Sequence, residues 1–370
     1  MAATDGMCRR PWYQLRAVDP TAATTRGATP RLGRMPHRIE TSLTRMLDLD
    51  VPIVQAPIGG LAIPQLAAAV ANAGGLGMLA LTWRDPDELP GILAETRQLT
   101  DRSFGVNLIL AENDQAERVR LCLEHGVRLI SFFWGDPARF LPEIHAAGAL
   151  ATLTVGSAEE ARQAVAAGVD IVVAQGWEAG GHVWGEVASL PLIPAVVDAA
   201  GHAPVIAAGG IADGRGVAAV LALGAAGAWI GTRFVMSEEA PSHPTYRELL
   251  AAAQETDTVH SRLFDVGWPD APHRTLRNST MDAWVAAGRP ASGQRPGEEE
   301  QIAVRDGEPL VRYGSSSPHR DARGEVEAMS LWSGQSVGLV DEVLPAATIV
   351  ARLADEAVGA IERLRGTFKS

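Results

Sequence analysis

Ile171-Val172-Val173-Ala174-Gln175-Gly176-Trp177-Glu178-Ala179-Gly180-Gly181-His182 reads as a buried strand that runs straight into a polar, glycine-bent turn. Its β-branched start is the pattern of a strand covered on both faces, as in a parallel sheet. The polar groups fall just past the strand end, where α/β enzymes keep their chemistry. Paired glycines let a backbone approach a ligand closely, and an imidazole titrates near neutrality. A lone loop histidine is ordinarily a solvated one. Gln175, the glycine pair and the strand-end position together favour a functional role for His182.

The same rhythm extends in both directions. Short apolar runs at 53–56, 76–80, 104–108, 129–133, 149–153, 170–174, 205–208 and 228–231 are predicted strands. Between them, 63–73, 114–124, 158–167, 191–200 and 214–223 are predicted helices. Ser157 stands as an N-cap before Glu159 and Glu160, and Gly148, Gly168 and Gly224 stand where helices should stop. Eight alternations predict a (β/α)8 TIM barrel, an α/β fold. Periodicity cannot count closure, so a doubly wound sheet is the alternative. Gly75-x-Gly77-x-x-Ala80 has the look of a dinucleotide fingerprint, but it follows a helix and enters a strand, the wrong order for one. Tight helix-to-strand packing explains it better.

After Gly231 the rhythm breaks. The expected organisation is a disordered extension over 1–34, with Met35 as functional start, and a barrel over 35–236. A small helical insert or lid follows over 237–325, and a segment over 326–370 packs back on the barrel, ending in a helix over 346–365. The chain has 370 residues, 46% of them hydrophobic, and a net charge of −12. That charge argues against nucleic acid or an anionic membrane as partner. Lys369 is the only lysine, which removes Schiff-base and Walker-type lysine chemistry. Cys8 and Cys122 make no disulfide framework, and no signal peptide or membrane span is evident; a cytoplasmic location is expected.

Val205 to Gly214 is a strand that ends in Gly209-Gly210 just before a helix, a place where backbone N–H groups bind phosphate. Trp229-Ile230-Gly231-Thr232 ends the next strand in the same way. These would follow strands seven and eight, a common phosphate site in such barrels. Asn107 and Gln175 would point into the same mouth as carboxamides able to face a planar heterocycle. No metal set, nucleophile elbow or strand-end cysteine is present.

Gln55-Ala56-Pro57-Ile58-Gly59-Gly60, Gly105-Val106-Asn107-Leu108, the Gln175–His182 motif, the run from Ala207 to Gly216, and Gly231-Thr232-Arg233-Phe234 together resemble the nitronate monooxygenase family. Ser333 to Gly338 is similar to that family too, and the resemblance covers about residues 48–365. It implies a barrel holding FMN non-covalently, with Asn107, Gln175, Gly180 and Gly210 contacting it. Trp229, Ile230, Gly231 and Thr232 would hold its phosphate end, and His182 matches the catalytic histidine. The implied reaction oxidises alkyl nitronates with O2 to carbonyl compounds and nitrite. An FMN-dependent NAD(P)H:quinone or enoyl-thioester reductase and a non-catalytic phosphate-ligand barrel are the alternatives. The partners implied are a small nitronate and O2, with a homodimer left open. Two features depart from the family pattern: an extra residue between His182 and Gly185, and the bulk of Trp229.

Overall fold

The computed structural model describes residues 37–111 and 114–368. The extension expected over 1–34 and the start at Met35 lie outside them.

Eight parallel strands form one sheet: β1 Ile53–Gln55, β2 Gly77–Ala80, β3 Phe104–Ile109, β4 Leu129–Phe133, β5 Leu150–Val155, β6 Ile171–Gln175, β7 Val205–Ala208 and β8 Gly227–Ile230. Their order is β1-β8-β7-β6-β5-β4-β3-β2. Val54 bridges Leu76 in parallel just ahead of β2, with Gln55 N donating to Leu76 O at 2.9 Å. That bridge closes the ring and excludes the open doubly wound sheet.

Both faces of the strands are buried, which is why their sequences are apolar runs rather than alternations. Val54, Met78, Leu129, Ile171, Val173 and Ile206 fill the barrel, and Leu43 and Leu47 of the helix Ser42–Leu47 join them. Thr41 Oγ1 donates to Ala226 O at 2.7 Å, just before β8, so this helix plugs the N-terminal end of the barrel. The opposite end is left for the loops. Gly77 packs where a Cβ would strike the backbone of Ala67, the close helix-to-strand approach read from the sequence.

The segment 237–325 was expected to be helical and needs correction. It contains the helices Pro244–Ala252 and Ser279–Ala286, but also an antiparallel pair, Thr258–Ser261 with His273–Leu276. Three further strands, Gln301–Arg305, Glu308–Val311 and Arg323–Gly324, form a second small sheet. Asp306 and Gly307 turn the hairpin between the first two at φ 54° and 86°. Such Asp-Gly turns need left-handed backbone at both positions. The final helix, Ala346–Thr367, lays Ile349, Val350 and Leu353 against Val217 and Val70 on the outside of the barrel. Among the described residues no helix is long and apolar enough to cross a membrane.

Candidate active site

A cavity of about 590 Å³ lies where the loops from β1, β2, β6, β7 and β8 meet the insert and the Trp332–Ser336 segment. Asn107, Gln175, Gly180, His182, Gly210, Trp229, Gly231 and Thr232 all line it. Ile230 does not. Period-two alternation turns it to the outer face of β8, where it packs with Val217 and Phe234.

His182 sits in a two-residue strand, Gly181–His182, that pairs antiparallel with His273 and Arg274 of the insert. Trp268 stacks on its imidazole at 3.9 Å between ring centres, with Trp332 at 5.1 Å and Trp134 at 6.2 Å. Burial among these rings, and secondly the neighbouring His273, push its pKa down to about 3, so the ring is neutral at physiological pH. Its Nε2 is buried without a hydrogen-bond partner. His273 is different. Its Nδ1 donates to Ala271 O at 2.9 Å and its Nε2 accepts from Phe264 N at 3.2 Å, which fixes one neutral tautomer. Burial drives it to about 4, against a smaller upward pull from the Ala271 carbonyl.

The His182 loop is pinned from every side. Gln175 Nε2 donates to His182 O at 3.0 Å, and Gln175 Oε1 accepts from Trp184 N at 2.8 Å. The carboxamide therefore braces the loop from beneath while lining the cavity. Glu178, the acid of the motif, is turned to the helix Ser189–Ala200 and accepts from Ser189 N and Oγ at 2.9 and 3.0 Å. That places a carboxylate at a helix start, where the macrodipole favours it. Arg274 Nη2 donates to Trp177 O at 2.9 Å. A Cβ on Gly180 would lie 2.5 Å from the Ser333 carbonyl carbon, so only glycine fits there. Gln335 N closes the contact by donating to Glu178 O at 3.0 Å.

On the β7–β8 side the wall is backbone. Gly209 and Gly210 are both left-handed, at φ 97° and 72°. The helix start expected to take a phosphate, at Gly214, is closed. Asp213 accepts from Gly216 N at 3.1 Å and Glu356 accepts from Gly214 N at 2.9 Å. Two carboxylates fill that anion position, so the phosphate reading contracts to Gly209-Gly210 and Gly231-Thr232. Thr232 Oγ1 accepts from Gly334 N at 3.0 Å and ties this side to the C-terminal segment. Trp229 reaches the cavity from inside the barrel, at the top of the apolar stack.

Sequence reasoning missed Trp268, His273 and Arg274, which carry no periodic signal in an irregular segment. Trp134 adopts a left-handed backbone, at φ 60°, a conformation that side-chain-bearing residues avoid and that marks over-determined sites.

The family model for nitronate monooxygenase matches residues 40–356. A hydroxy-methyl-oxo-octahydroindene-carboxyl-CoA dehydrogenase of Rhodococcus jostii is 34% identical over 351 residues, covering 88% of this chain and 98% of that protein. A nitronate monooxygenase of Pseudomonas aeruginosa is 32% identical, covering 85% of this chain and 99% of its own. The structure of FabK from Thermotoga maritima superposes with a TM-score of 0.76 at 34% identity, covering 89% of this chain and 100% of that one. With a family match across most of its length, a closed parallel barrel and the motif residues gathered on one cavity, this chain belongs to the nitronate monooxygenase family and is an oxidoreductase of that type.

Proposed function

We propose that the cavity binds FMN and that the enzyme oxidises alkyl nitronates with O2 to carbonyl compounds and nitrite. The observation that carries this reading is a neutral His182, its Nε2 unpartnered, on the wall of a cavity at the C-terminal end of a barrel. The residues present fit the cofactor. Gly210, Gly231 and Thr232 offer backbone unobstructed by large side chains for its phosphate end, and Asn107 offers a carboxamide for its ring edge. Gly180 would approach it through backbone and Trp229 would border it, whereas Ile230 faces away from the cavity.

When bound, FMN supplies the redox chemistry. The chain's own residues do the rest. His182 is uncharged and so is able to accept a proton from a neutral nitroalkane or to hold a hydrogen bond to a nitronate. Gln175 fixes the height of that imidazole through the His182 carbonyl. Trp268 and Trp332 keep water from the reacting face. The enzyme is read as cytoplasmic, acting on a small molecule and O2.

The Rhodococcus relative supports a second reading, a redox reaction on a coenzyme A thioester. Mixing the purified yellow protein with ethylnitronate, with and without O2, separates the two. Nitrite release coupled to O2 uptake is expected. Rapid anaerobic bleaching by NADH or NADPH, with no nitrite from the nitronate, would favour the reductase. No turnover with either would leave a binding protein.

A further inference from the structure

The cavity's charge is the opposite of the chain's. The protein carries 44 acidic residues against 32 basic ones. Among the described residues lining the cavity there is no aspartate or glutamate, and the charged members are Arg84 and Arg305. Neither guanidinium is neutralised by a buried carboxylate. Arg84 makes no ion pair among the described residues. Arg305 has Asp306 at 3.3 Å, on a side chain 74% exposed, and its Nε lacks a hydrogen bond.

Both arginines line the cavity, and a chain of contacts relates the segments that carry them. Arg84 follows β2, and Arg305 ends an insert strand with its charge acting on His319, two residues past the Ser315–Ser317 run. Ser317 Oγ donates to Gly59 O at 2.6 Å, which ties that run to the loop after β1, the neighbour of β2. His182 comes from the loop after β6, across the barrel, and the left-handed glycines follow β7. A guanidinium at the edge of a cavity, with no carboxylate partner or only an exposed one, is a forked donor matched to a carboxylate or phosphate.

We infer that Arg84 and Arg305 form a subsite for an oxyanion carried by the substrate at the end remote from its reacting carbon. The inference deepens the proposed reading of the same cavity and rests on it for the position of the cofactor. The anion is either a carboxylate on a small substrate or a phosphate on a thioester carrier.

The test uses redox-inert ligands and the flavin-loaded protein as purified, reading perturbation of the flavin absorption spectrum. Butyrate is titrated against butyramide, and acetyl-coenzyme A against acetyl-pantetheine, at low and high NaCl. Wild type should bind the charged member of at least one pair about tenfold or more tightly, the usual worth of a charge-assisted hydrogen bond. The preference should shrink with salt and fall to about threefold or less in Arg84→Met or Arg305→Met, which keep the apolar stem. The butyrate pair reports a carboxylate source and the coenzyme A pair a phosphate source. Equal affinities within both pairs in wild type would overturn the subsite. Loss of flavin from either variant would also overturn it, because the arginine would then serve the cofactor phosphate. Failure of nitronate turnover leaves this binding readout intact, so the two readings fail separately.

Discussion

The two sides of the cavity are built by different means. On the β7–β8 side the wall is Gly209, Gly210, Gly231 and Thr232, each within two residues of a barrel strand. On the β6 side one imidazole is held by His273, Arg274, Trp268 and the Ser333–Gln335 segment, all distant in sequence. A ligand's phosphate can be gripped by backbone that the fold fixes locally. A neutral, oriented histidine needs a dry surround, and one loop cannot supply that. The β6 side therefore borrows its walls from the insert.

The largest expected effect lies on the borrowed side. His182→Asn should retain fold and flavin while turnover falls by about 10²–10⁴, the worth of a positioned general acid or base. Neutral nitroethane, whose α-proton must be removed, should suffer more than ethylnitronate. Steady-state rates on both forms check this, and near-wild-type rates on both would place the chemistry elsewhere.

The local side should break differently. Gly210→Asp meets ordinary packing, its Cβ 3.5 Å from Glu178 Cβ, but must hold a left-handed φ of 72°. That strain costs about 1–2 kcal/mol, a loss the barrel should tolerate, and the new carboxylate repels a bound phosphate. Flavin content after gel filtration should drop sharply while the far-ultraviolet circular dichroism stays native. Full flavin retention would show that the phosphate sits away from Gly210.

The smallest effect sharpens the comparison through pH. His182 and His273 stay neutral in the fold, with pKa values near 3 and 4, while the unfolded chain takes up protons near 6.5. Below about pH 6.5 the unfolded state binds more protons, so stability present above that pH is lost as the pH falls toward about 4. Each histidine contributes a slope of up to about 1.4 kcal/mol per pH unit. Chemical denaturation between pH 7 and 4.5 measures it. His273→Gln should flatten the slope; an unchanged slope would assign the acid sensitivity to other groups.

Legibility in the sequence followed the same divide. All eight barrel strands were readable because a strand buried on both faces is an apolar run that needs no partner to be recognised. Ser157 and Gly168 cap their helix as read, through the Glu160 N–H and a left-handed φ of 102°. The site glycines sat next to those strands and were equally visible. The insert strands were not: His273-Arg274-Thr275-Leu276 is polar and buried, and only its partners make it a strand. One signal there went unused. Arg305-Asp306-Gly307-Glu308 carries an Asp-Gly hairpin turn in its letters, and it argued against an all-helical segment. The closed Gly214 helix start was unreadable for another reason, since Glu356 arrives from the last helix, 142 residues on.

The antiparallel pairing of His182 with His273 has a consequence for traffic. A cover hinged on that edge would carry the imidazole away each time it opened and would rebuild the reacting geometry at every turnover. The part of the insert that carries His273 is therefore better placed as a wall beside β6 than as a cover. The Ser315–Ser317 run of the same insert reaches the barrel through the Ser317 hydroxyl, and Trp83, 52% exposed, packs edge-on at 6.0 Å against Trp268, the ring stacked on His182. A change at Trp83 would therefore reach the imidazole through one intervening indole, so the exposed rim and the His182 wall cannot be remodelled independently.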